Sequence, residues 1–228
     1  MTAHLLPAFF VFLRILAYCG LTFVVAEVLR LDDYSADPSS EQSWTERTQL
    51  VMLSISLGLC LYARFKMRAY RHSSLLLVAF LGASLIRELD ATLDRYAFDG
   101  CWQLLAFSLI GTAIFFTWRN RWAFLEELAG YLPSRACGLF IAGLLTTYVF
   151  SRFFGRRIFW EAVMGDAYSK RVKSTAEESL ELFGYTVILI SAIELLLLRA
   201  SPPPCSPRET GPRQADELGH AATRRLSL

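Results

Sequence analysis

The chain has 228 residues, of which 54% are hydrophobic, 14% aromatic and 19% charged, and its mean hydropathy is +0.37. That is more apolar mass than one water-soluble domain buries, since soluble domains run at about 45–50% apolar on a count that includes glycine. A disordered, collagen-like or small disulfide-stapled chain is excluded, and a net charge of +2 carries no sign of nucleic-acid binding.

Six apolar windows follow in chain order as candidate membrane spans, for which roughly 17–25 residues are required. They run from Leu5 to Val28, Thr48 to Ala63, Ser74 to Ile86, Trp102 to Trp118, Ala136 to Phe150 and Leu182 to Leu198. No window alternates apolar with polar residues, and backbone groups in lipid must be satisfied within the segment, so the predicted fold is an all-α polytopic membrane bundle of six transmembrane helices. The first window resembles a secretory signal at Val24-Val25-Ala26 but lacks a basic leader and is too long, so it reads as a span. After Arg199 the run Ser201-Pro202-Pro203-Pro204 ends any helix. The expected organisation is therefore a transmembrane domain over 1–200 and a disordered cytoplasmic tail over 201–228.

Basic residues in short loops set orientation. Arg64, Lys66, Arg68 and Arg71 follow the second window without an acid, whereas Asp32, Asp33, Asp37, Glu41 and Glu46 oppose Arg47 before it. The basic loop is expected inside, and alternation puts both termini in the cytoplasm along with Arg119, Arg121 and Arg135. The stretch from Arg152 to Glu181 is basic yet falls outside, against the trend. Only Cys101 of the five cysteines faces outward in this topology, so no intrachain disulfide is expected there.

Several windows run out of apolar residues before they cross. Leu75 to Ile86 is twelve residues, about 18 Å of helix against a hydrocarbon core of about 30 Å. Its next turns carry Arg87, Glu88, Asp90 and Asp94. Glu46 and Arg47 precede the second window, Glu27 ends the first, Arg152 ends the fifth, and Glu177 and Glu181 stand before the sixth. Ionised groups facing hydrocarbon are costly, so these ten are expected to turn inward and pair in an outward-facing charged pocket, with Lys173 and Arg171 as further cations. The competing expectation is that charges at span ends are solvated interface residues. Glu27, Glu46, Glu88, Glu177 and Glu181 also offer oxygen ligands to a hard cation. No resident metal or other cofactor is expected, because His4, His72 and His220 all fall on the inner side.

Arg14 in the first window and Glu194 in the sixth lie at similar inner depth and form a candidate buried pair, unless Arg14 snorkels to the interface. Trp44, Tyr96 and Trp102 outside, and Tyr62, Trp118 and Trp122 inside, are candidate interface anchors. Phe153 to Trp160, interspersed with Arg156 and Arg157, is expected to lie on the outer surface or to cover the pocket. Gly138 and Ala142 offer a small-residue face for helix contact.

The strings Arg87-Glu88-Leu89-Asp90 and Ala176-Glu177-Glu178-Ser179-Leu180-Glu181-Leu182-Phe183-Gly184-Tyr185 resemble those of uncharacterised multi-pass bacterial membrane proteins. The likeness covers the six windows and implies a bacterial inner (plasma) membrane without implying an activity. No Walker loop, Gly-x-Ser-x-Gly elbow or His-Glu-x-x-His motif supplies one. Beyond the lipid bilayer, the expected partner is a charged small solute or a hard cation. Three functions are open on the sequence: a small transporter or ion-coupled permease, an enzyme acting on lipid or a lipid-linked substrate at the outer leaflet, and a non-catalytic assembly or sensor protein.

Overall fold

The computed structural model describes residues 5–35, 44–66 and 70–198; the expected tail at 201–228 lies outside them. The described residues are helical almost throughout, at 93% helix with no strand. The helices are α1 (Leu5–Ser35), α2 (Trp44–Lys66), α3 (Arg71–Glu88), α4 (Asp90–Tyr96), α5 (Cys101–Arg119), α6 (Arg121–Tyr131) and α7 (Arg135–Leu145). A π-type turn (Thr146–Phe150) joins α7 to α8 (Ser151–Phe154), followed by α9 (Arg157–Met164) and α10 (Lys170–Leu197).

Five helical stretches are long and apolar enough to cross a membrane: Ala8–Leu31, Trp44–Lys66, Cys101–Arg119, Arg135–Phe154 and Lys170–Leu197. The remaining window, the third, forms the 18-residue α3, which falls short of that standard because Arg71, Arg87 and Glu88 lie within it. Charge, not helix length alone, separates α3 from the others.

α10 is the hub. In its most apolar window 61% of residues are buried, against 6% in that of α1. It packs on α7, α2 and α1, while α3 lies between α2 and α5. Leu182, Tyr185, Ile188, Leu189, Ala192 and Leu195 of α10 form the core with Met52, Leu53 and Cys60 of α2 and Ala136 and Cys137 of α7. Each fully buried large apolar side chain contributes about 1.5–3 kcal/mol relative to water. In lipid that term is much reduced, and close packing carries the association instead.

Packing is tightest where α7 crosses α10. A Cβ on Gly143 would stand 2.7 Å from Ile188 Cγ1 and 2.9 Å from the Gly184 carbonyl oxygen; one on Gly184 would collide with Thr147 Oγ1 and approach the Gly143 carbonyl oxygen to 3.0 Å. Two glycines facing each other thus let the backbones touch. The small-residue contact is therefore made at Gly143 rather than at Gly138 and Ala142, which are exposed. Gly138 has nothing within 4 Å of a built Cβ.

Contacts along these helices fix their directions. Ser191 Oγ donates to the Ala136 carbonyl at 2.7 Å, Gly184 meets Thr147, and Glu177 meets Arg152, so α7–α8 and α10 run antiparallel. Gln49 Nε2 reaches the Glu178 carbonyl at 3.5 Å, and Thr186 Oγ1 reaches Met52 Sδ at 3.4 Å, so α2 and α10 run parallel. At the opposite end of the bundle, Glu127 of α6 caps α3, whose own N-cap residue, Tyr70, supplies no side-chain capping bond. The Glu127 carboxylate accepts from His72 N at 2.7 Å and Ser73 N at 2.9 Å, and lies 2.9 Å from His72 Nδ1. An acid at a helix N-terminus satisfies otherwise orphaned N–H groups and suits the helix dipole.

Candidate functional site

The irregular turns of two helices fall at one depth, and charge gathers there. α3 stops at Leu89, and α7 widens into its π-type turn at Thr146–Phe150, a departure that recurs at functional sites in helical proteins. The widened turn directs Tyr148 toward α3, where its hydroxyl lies 2.6 Å from Ser84 Oγ. The Tyr148 ring lies 5.9 Å from the Arg87 guanidinium carbon. Arg87 Nη2 donates to Glu88 Oε1 at 2.7 Å, and the buried Tyr185 hydroxyl donates to the same oxygen at 2.9 Å. Glu88 is thereby held by a cation from its own helix and a hydroxyl from α10.

One turn outward on α10, Arg152 binds two acids. Its Nη1 is 3.2 Å from Glu177 Oε1 and its Nη2 is 3.0 Å from Glu181 Oε1. Ser151 donates to the Thr147 carbonyl oxygen, with its Oγ also 3.4 Å from Glu181 Oε1. Lys173 Nζ lies 3.2 Å from Glu177 Oε2 and donates to the Gly155 carbonyl at 3.0 Å. The two stacked acids of α10 are thus relieved by an arginine and a lysine, as like charges at i,i+4 require. The two clusters meet α10 one turn apart, at Tyr185 and at Glu181, and together form a network of charged and hydroxyl groups spanning α3, α7–α8 and α10.

Beside it opens a cavity of about 950 Å³ lined by Glu46, Arg47, Leu50, Arg87, Glu88, Leu89, Asp90, Thr92, Arg95, Tyr96 and Trp102. Glu46, Arg47, Asp90, Arg95 and Tyr96 are exposed, so the cavity is reached from outside the bundle.

Of the ten residues singled out from the sequence, Arg87, Glu88, Arg152, Glu177 and Glu181 meet in the network, and Glu46, Arg47 and Asp90 join Arg87 and Glu88 on the cavity wall. Two lie elsewhere. Glu27 pairs with Arg30 at 3.1 Å on the exposed face of α1, because α1 sits at the periphery of the bundle. Asp94 accepts from Gly100 N at 3.1 Å and closes the turn into α5, where Gly100 has φ +82°. Among the described residues no group of three or more His, Cys, Asp and Glu is placed to hold a metal ion, so the carboxylates offered as hard-cation ligands do not converge on one point.

Sequence reasoning did not single out Tyr148, Ser84, Tyr185 or Ser151. Their signal was the polar hydroxyl inside an apolar run, which is common in spans and weak on its own. Arg95 was missed as well, since it lies on the short α4, outside every window. α9 does not line the cavity. Instead Phe159 packs on Phe153 and Phe154 at 5.1 and 5.4 Å between ring centres, Trp160 Nε1 donates to the Phe154 carbonyl at 2.5 Å, and Ile158 and Val163 are exposed. α9 therefore packs on α8 through Phe159 and leaves Ile158 and Val163 on the surface. On its polar side Arg157 Nε meets Glu161 at 2.6 Å, which raises the guanidinium pKa above its ordinary value.

Near the other end of α10, Glu194 Oε1 lies 3.2 Å from Arg14 Nε and accepts from the Tyr18 hydroxyl at 2.7 Å. The structure thus brings Arg14 and Glu194 together, with a tyrosine added. Cys19, Cys60, Cys101 and Cys137 are free thiols.

Comparison with protein families, with characterised proteins and with solved structures finds no match to this chain. The fold and site by themselves define the class: an all-helical protein with five membrane-length apolar helices and a charged network beside a cavity at one end.

Proposed function

We propose that the protein is a small ion-coupled permease of the bacterial inner membrane, with six spans, both termini cytoplasmic and the charged cavity facing outward. The topology rests on basic residues at the end opposite the cavity: Arg64 and Lys66 in the last turn of α2, Arg71 at the start of α3, and Arg119 and Arg121 where α5 meets α6. α3 serves as the sixth span. It lies between two membrane-length helices, α2 and α5, and its charges are at its ends.

The observation that carries the reading is that Arg87 and Glu88 belong both to the cavity wall and to the buried network through Tyr185. A charged solute entering the cavity competes for Arg87. As Arg87 turns to the solute, Glu88 loses its cation, which makes it the position at which solute binding and ion binding are linked reciprocally. Two ionisable groups of α10, Glu181 in its middle and Glu194 near its C-terminus, are buried, as expected of an intramembrane helix that handles charge.

The test is reconstitution into liposomes containing a pH-sensitive dye. A solute that binds the wild type should drive proton movement, and Glu88→Gln should still bind that solute but move no protons. Solute binding without proton movement in the wild type contradicts the reading. A purely structural role has separate support in the Arg152 cluster, where both acids are paired. It predicts that Glu177→Gln lowers stability and leaves solute binding intact.

A further inference from the structure

The cavity wall bears charge of both signs in equal number: Arg47, Arg87 and Arg95 against Glu46, Glu88 and Asp90. A simple anion entering it meets three carboxylates, and a simple cation meets three guanidinium groups. A ligand with both signs a few ångströms apart meets a complement for each, and complementarity of this kind sets specificity.

The anionic end has a defined receptor. Arg95 is exposed and makes no ion pair among the described residues. Arg87 spends one of its five N–H donors on Glu88. Planar guanidinium forks match the oxygens of a carboxylate or phosphate, and bonds between ionised partners are about twice as strong as neutral ones. Arg47 is held over the Trp44 ring at 5.5 Å and adds positive potential from α2. For the cationic end, Asp90 at the start of α4 presents a carboxylate, which accepts several donors at once. Trp102 and Leu50 supply the apolar wall common to small-molecule sites, and about 950 Å³ lies at the upper end of the usual range of about 300–1,000 Å³.

We infer that the cavity binds a zwitterion joining a phosphate or carboxylate to an ammonium, with Arg87 and Arg95 on the oxyanion and Asp90 on the ammonium. The inference rests on the permease reading only for the identity of the site. Two sources share this chemistry: a free solute, or the headgroup of a phospholipid lying beside α4.

Calorimetric titration of the purified full chain tests it with phosphoethanolamine, inorganic phosphate and ethanolamine as probes. Phosphoethanolamine should bind at least about tenfold more tightly than either half. Arg95→Ala, at an exposed position that does not threaten folding, should weaken it by about tenfold or more, with partial recovery in Arg95→Lys. Asp90→Asn should weaken phosphoethanolamine while leaving inorganic phosphate unchanged. Nanodiscs separate the two sources. Competition from phosphatidylethanolamine, absent with phosphatidylglycerol, assigns the headgroup, and undiminished binding in both assigns the free solute; each supports the class. Equal binding of either half and the whole, no binding of any probe, or an unchanged affinity in Arg95→Ala overturns it. Binding is read without a gradient, so phosphoethanolamine binding with no proton movement in liposomes refutes the permease reading alone. Proton-coupled uptake of another solute, without zwitterion binding, refutes this inference alone.

Discussion

Replacing Arg14 with leucine isolates what holds α1 to the bundle. Val25 is the one buried side chain described on α1, so the bond of Arg14 and Tyr18 to Glu194 is its main polar anchor. Removing one partner of a buried pair costs about 3–5 kcal/mol, because the other charge is left uncompensated. Glu194 is buried, with 7% of its side chain exposed, but Arg14 is 25% exposed. Solvent and headgroup screening bring the expected cost to about 2–3 kcal/mol. At about 2–4 °C per kcal/mol for a chain of this size, Arg14→Leu should melt about 4–12 °C below wild type in detergent, followed by tryptophan fluorescence. Glu194→Leu should cost less, since it leaves the more exposed charge behind. The double variant should return to within about 1 kcal/mol of wild type, giving a coupling energy of about 2 kcal/mol. Single variants indistinguishable from wild type, or a double variant equal to the sum of the singles, would refute the account of this anchor.

The α7–α10 crossing predicts that Gly184→Ala lowers stability by about 1–3 kcal/mol and Gly184→Leu by more, whereas Gly138→Ala is neutral, all read as melting temperatures in detergent. Glu127→Ala should cost about 1–2 kcal/mol by uncapping α3, and hydrogen exchange should rise at His72 and Ser73 before it rises in the helix interior. Tyr185→Phe removes one of the two donors to Glu88 and should cost about 1–2 kcal/mol; Glu88→Gln, which can still accept from Tyr185, should cost less in the Tyr185→Phe background than alone, in a thermal double-mutant cycle.

Much of this arrangement was legible in the residues, for reasons specific to each. Hydropathy located the five membrane-length helices, because a span is defined by a solvent it must satisfy along its whole length. The short run at Leu75–Ile86 pointed to Arg87 and Glu88, since a helix too short to cross must bring its flanking charges to the bundle. Arg14 and Glu194 could be matched because buried charge needs a counter-charge at its own depth. Glu27 was misplaced, as depth alone does not say which face of a helix meets the bundle, and α1 turns that face outward. Asp94 was misplaced because the turn at Gly100, which consumes its carboxylate, lies outside the apolar pattern. The contact at Gly143 was missed in favour of Gly138 because both are glycines on one helix, and only the position of α10 distinguishes them.

Labelling by a membrane-impermeant thiol reagent in intact cells tests the outward charged cavity most directly. In a cysteine-free background, Arg95→Cys at the cavity wall should react from outside, and Arg121→Cys, beyond the far end of α5, should react only after the membrane is opened. Equal reaction of both from outside, or the reverse order, would contradict an outward-facing cavity carried by a membrane-crossing α5.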